Sequence, residues 1–115
     1  NQNGGNSTSN TTGLNSPCKQ NSISGASLNR IIQSVESKSF ADSKMKVLKQ
    51  ATRNKCLTVG QIIRLVELFT FESDKLKLAK EFYHQAGNKD DYYLVNDIFT
   101  YSSSIDELND YISRY

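Results

Sequence analysis

The chain has 115 residues, a formal net charge of +2 and 37% hydrophobic residues, which suits one domain around a single core. No apolar run approaches the roughly 20 residues that a membrane-crossing helix needs, so such a helix is excluded. A single histidine and two cysteines leave few combinations for a metal site or a nucleophile with its base.

Residues 1–17 carry no charge and no aromatic, and Leu14 is their only sizeable apolar side chain. Such a stretch cannot bury enough surface to offset its ordering entropy. It is expected to be a disordered polar leader or linker, 1–17, in front of a single domain at 18–115. The absence of an initiator Met and the Asn-Gln-Asn-Gly-Gly start fit a processed, exported protein whose signal peptide or anchor has been removed, so the expected localisation is secreted, periplasmic or cell-surface.

The only proline is Pro17, so nothing beyond it forbids long runs of helix. Apolar residues recur at helical spacing: Leu28, Ile31, Ile32 and Val35, then Val59, Ile62, Ile63 and Val66. Strand alternation is absent. The pattern predicts helices near 27–38, 41–53, 58–69, 72–86, 90–99 and 104–113, an all-α fold of about six short helices in three stacked hairpins. Ser103 and Asp106 form a candidate capping pair for the last helix.

Cys18 precedes the first predicted helix and Cys56 follows the second. An antiparallel pair between them returns the chain to its starting end and brings the sulfurs together. A disulfide there restricts the unfolded chain by about 4 kcal/mol in the entropy model; the alternative is two unrelated buried thiols in a cytosolic protein.

A shift of 31 residues lays the first hairpin on the second. Leu28, Ile31, Ile32, Val35, Phe40 and Met45 fall on Val59, Ile62, Ile63, Val66, Phe71 and Leu76, while Lys44, Lys46 and Lys49 fall on Lys75, Lys77 and Lys80. Ser27 and Ser39 meet Thr58 and Thr70, which predicts N-caps at the same two points of each unit. A third, degenerate copy starts near Lys89 and puts Tyr101 in the place of Phe71. Core, caps and charges rarely align together by chance, and one hairpin cannot cover its own apolar stripe. Phe40, Phe71 and Tyr101 are expected to plug equivalent turns, with Phe69, Phe82, Tyr83, Tyr93, Phe99 and Tyr111 filling the interior.

Three segments carry a resemblance: Cys56-Leu-Thr-Val-Gly-Gln61-Ile-Ile, then Leu68-Phe-Thr-Phe-Glu-Ser-Asp-Lys-Leu76, and Asp97-Ile-Phe-Thr-Tyr-Ser-Ser-Ser-Ile-Asp-Glu-Leu108. Taken in order they resemble the family catalogued as domain of unknown function 4476, over about residues 18–115. The resemblance implies an exported bacterial-type protein with no assigned activity and no known catalytic residues. After Tyr83 the sequence departs from the family's more usual short turn, which leaves the start of the fifth helix open.

Charge is sorted along the chain. Residues 18–87 hold twelve Lys or Arg against six Asp or Glu, and residues 88–115 hold two against six, so the domain is expected to be an electric dipole. Lys46, Lys49 and Arg53 share one face of the second helix, and Lys77, Lys80 and His84 share the equivalent face of the fourth. Stacked in parallel register, these six form a candidate basic ridge for an anionic surface component; the bland alternative is a solvated lysine face. Nucleic acid is disfavoured by the acidic third unit and the expected export.

No catalytic motif is present: no GxSxG, no phosphate-binding glycine loop, no HExxH. The pairs Asp90 with Asp91 and Asp106 with Asp110 could in principle supply acid and base, but Asp90 and Asp91 read as charges at a helix start and Asp106 and Glu107 as first-turn charges of the last helix. Catalytic, cofactor and metal residues are therefore expected to be absent. The expected function is a non-enzymatic structural or protein-interaction module of a secreted or cell-envelope protein. Its rivals are an anion-binding module using the ridge and a small hydrolase built on His84. The expected partner is a protein or an anionic surface component, and a monomer is favoured.

Overall fold

The computed structural model describes residues 22–115; the expected leader and Cys18 lie outside the described residues. Six helices follow one another: α1 Gly25–Glu36, α2 Ala41–Thr52, α3 Val59–Val66, α4 Glu72–Tyr83, a 3₁₀ helix Lys89–Ile98, and α5 Ser102–Ile112. The fold is all-α. Among the described residues the only β pairing is two isolated parallel bridges, Ser22 with Cys56 and Leu57 with Ala86. No helix here is long and apolar enough to cross a membrane.

α1 packs against α2 and α3 against α4, giving two hairpins. The third unit is splayed. Its 3₁₀ helix packs on α3 and its α5 on α4, so each element seats on its own counterpart in the preceding unit. The packed interior carries the repeat: Leu28 and Val59 are both buried, as are Val35 and Val66. Leu57, Ile62, Leu65, Leu78, Phe82, Val95 and Leu108 complete one continuous core, each contributing roughly 1.5–3 kcal/mol by leaving water.

Helix starts explain much of the local structure. Thr58 caps α3 in a full capping box: its hydroxyl accepts from Gln61 N at 3.1 Å, and Gln61 Oε1 accepts from Thr58 N at 3.0 Å. Ser24 caps α1 instead of Ser27, which donates its own N–H to the Ser24 hydroxyl. Ser39, Thr70 and Ser103 do not cap either. The N-cap positions of α2, α4 and α5 are held by Phe40, Phe71 and Tyr101, without a side-chain cap bond.

The units are fastened by side chains that reach back to the preceding unit's backbone. Gln61 Nε2 donates to Ile23 O at 3.1 Å, Gln85 Nε2 donates to Thr52 O and Lys55 O, and Asn88 Oδ1 accepts from Val59 N at 2.9 Å. The Asn88 bond satisfies the first N–H of α3, a group that the helix itself leaves unpaired.

Two expectations about aromatics are corrected. Tyr93 is exposed, and Tyr92 is buried in its place with its hydroxyl donating to Ala79 O at 2.5 Å. The cause is the tighter winding of the 3₁₀ helix, where every third residue aligns, so Tyr92, Val95 and Ile98 face inward together. Phe40, Phe71 and Tyr101 are not plugs. They stand in solvent.

Candidate functional site

Phe40, Phe71 and Tyr101 are 74%, 64% and 61% exposed. Each occupies the N-cap of its unit's second helix with extended backbone, at φ −111°, −84° and −106°. Each follows an exposed hydroxyl residue, Ser39, Thr70 or Thr100. The rings are thus structurally equivalent, as the 31-residue shift requires for Phe40 and Phe71 and the degenerate third copy for Tyr101.

Their shared end follows from how the units stack. Glu72, first residue of α4, accepts from Thr100 N, from Tyr101 N at 3.0 Å and from Ser104 Oγ at 2.9 Å, which places the starts of α4 and α5 side by side. These bonds hold the Glu72 carboxyl below its ordinary range, the Tyr101 backbone bond contributing most. Farther along, Lys49 Nζ meets Glu81 Oε2 at 3.2 Å, nine and ten residues after the respective aromatics, so α2 and α4 are linked by side chains at that level. Phe71 and Tyr101 therefore open neighbouring helices, and Phe40 stands at the equivalent point of the first unit.

Exposed aromatics of this size lie poorly in water, and an N-cap ordinarily holds Ser, Thr, Asp or Asn. Three aromatics at N-caps forgo both gains, and the packing of the core does not use them. Sequence reasoning found their equivalence and missed their exposure. The available signal was position: each stands at the point of helix entry where a capping residue was due.

The candidate basic ridge is interleaved with acids. Lys49 pairs with Glu81, and Lys80 pairs with Glu107 at 2.6 Å while lying over the Tyr111 ring. His84 Nε2 is 2.6 Å from the Tyr111 hydroxyl, and the Tyr115 ring stands edge-on to the imidazole. Lys46, Arg53 and Lys77 are exposed. Of the six, Lys49, Lys80 and His84 are engaged by neighbouring side chains.

The His84 neighbourhood also bears on catalysis. A hydroxyl, that of Tyr111, lies beside the imidazole, yet among the described residues no carboxylate bonds to it; Glu107 is turned to Lys80. The Tyr111 phenol is raised above its ordinary pKa, chiefly by its hydrogen bond with Tyr115, which weakens it as a nucleophile at neutral pH. Two open depressions flank the cluster: one of about 380 Å³ beside Lys55, Gln85 and Lys89, and one of about 540 Å³ between α4 and α5 beside Lys77 and Glu107. Among the described residues no group of His, Cys, Asp and Glu converges as a metal site requires.

The family model described as Domain of unknown function (DUF4476) matches residues 22–112. No curated protein and no solved structure matches the chain.

Proposed function

The chain belongs to the DUF4476 family, and on that footing we propose that it is a non-enzymatic protein-interaction module of a secreted or cell-envelope protein. The observation that carries this reading is the exposure of Phe40, Phe71 and Tyr101 at equivalent positions in three successive units. An apolar surface repeated with the fold and unused by its core is best accounted for by something bound there.

Export is supported by the cysteines. Among the described residues no cysteine is free, and the bridge between Ser22 and Cys56 brings the incoming chain alongside Cys56. Cys18 lies four residues before Ser22, a reach of about 14 Å at full extension. We take Cys18 and Cys56 to be disulfide-bonded in an oxidising compartment.

The reading is tested by retention on envelope preparations of the producing cells. The wild-type chain is retained, and a variant carrying Phe40→Ala, Phe71→Ala and Tyr101→Ala is released while melting at nearly the wild-type temperature. Equal retention of the two proteins contradicts the proposal.

A further inference from the structure

We propose that the chain associates with further copies of itself head to tail, the third unit of one copy seated on the first unit of the next. The argument begins with the faces that the fold leaves uncovered. On the first hairpin, Asn29 of α1 accepts from Arg64, and Lys49 of α2 pairs with Glu81, so that side of both helices meets the second unit. Residues two places away lie about 200° around a helix. Ser27 and Ile31 of α1 and Ala51 of α2 therefore face away from the second unit. They line one open depression of about 430 Å³, together with Ile23, Arg30 and Lys55. No carboxylate shares that lining among the described residues.

The third unit has a free face of the opposite kind. Its 3₁₀ helix buries Tyr92 and Val95 in the core and packs Ile98 against it. A period of three residues leaves two further ridges on that helix, Asp90 with Tyr93 and Asp91 with Leu94 and Asp97. Tyr93 is 65% exposed and Leu94 39%, and the three aspartates around them are exposed too. Among the described residues Asp90 and Asp97 enter no ion pair, and neither do Arg30 and Lys55.

The two faces match in both respects: half-buried Ile23, Ile31 and Ala51 with a cationic rim on one, and an exposed apolar pair with an anionic rim on the other. The end units carry the same opposition as a whole. Residues 22–55 hold seven Lys or Arg against two Asp or Glu, and residues 88–115 hold two against six, so unlike ends attract. A second copy is the occupant because one chain carries both halves of the match. A stack of units that ends at itself needs polar outer faces, and Tyr93 and Leu94 depart from that rule. The contact is heterologous: each added copy leaves one face of each kind free, so the assembly is an open chain. Its attraction runs largely through exposed charges, which makes it weak and sensitive to salt.

Sedimentation velocity of the full chain tests this. In dilute salt the mean mass should rise with concentration beyond that of a dimer, and it should return to the monomer's near about 0.5 M salt. Two variants each destroy one face: Tyr93→Ala with Leu94→Ala, and Arg30→Glu with Lys55→Glu. All four residues are exposed, so both variants should melt near the wild-type temperature. Each alone should associate more weakly by about tenfold or more. Mixed, they should form a one-to-one pair that grows no further, because each keeps one intact face. A wild-type chain still monomeric at about 1 mM, association indifferent to either variant, or a mixture that stays monomeric overturns the proposal. Growth that stops at a symmetric dimer overturns the head-to-tail arrangement. A monomeric chain that instead binds a cationic peptide through Tyr93 and Leu94 overturns the second copy as the occupant.

Discussion

The Glu72 carboxylate accepts two backbone N–H groups and one hydroxyl from the following unit, so its charge is worth more in the folded chain than in the unfolded one. Its pKa is lowered from the ordinary value of 4.5. For a depressed carboxyl the added stability is complete above the unfolded pKa and is lost as pH falls through the folded one. Urea midpoints of wild type and Glu72→Gln should therefore differ near neutrality and converge in acid, below about pH 4.5. A gap that stays constant across that range contradicts the assignment. Thr58 gives a second test at this scale, because Thr58→Ala breaks the capping box and should cost about 1 kcal/mol by chemical denaturation. These residues differ in legibility. The Thr58 to Gln61 spacing is a local signal visible in the sequence. The role of Glu72 was not legible, since its partners lie about thirty residues away and come near only through stacking.

Elements were legible where periodicity was strong. α1 to α4 lie within a few residues of the predicted spans because their apolar faces recur at the α-helical interval. The segment from Lys89 was read as an α-helix and winds as 3₁₀, which exchanged Tyr92 for Tyr93 in the core; a short polar-rich stretch does not distinguish periods of 3.0 and 3.6. Its attachment to the second unit runs through Asn88, whose side chain holds the first N–H of α3. Asn88→Ala leaves that buried donor without its partner and should cost about 1–2 kcal/mol, with faster hydrogen exchange at Val59. Unchanged exchange at Val59 contradicts this role.

For the whole molecule, the sequence carried the stacking of related units but not what each unit shows to solvent. Self-similarity records which positions are equivalent, and burial depends on what the neighbouring unit covers. The same holds for charge: the acidic third unit lies against the basic second, and Glu107 neutralises Lys80, so a ridge that looked continuous in the sequence is interrupted. Pairs as exposed as Lys49 with Glu81 contribute little to stability. A protein made under oxidising conditions, denatured without reductant, should show no reactive thiol, and two would remove the Cys18 to Cys56 bond. The central claim is that three equivalent aromatic rings stand in solvent while their neighbours form the core. It is tested most directly by fluorine NMR of the chain labelled with fluorophenylalanine and fluorotyrosine, in the presence of a soluble paramagnetic agent. Phe40, Phe71 and Tyr101 should relax strongly and alike while Phe69, Phe82, Tyr92 and Phe99 stay protected; protection of Phe40 or Phe71, or unlike behaviour of the two, would contradict the account.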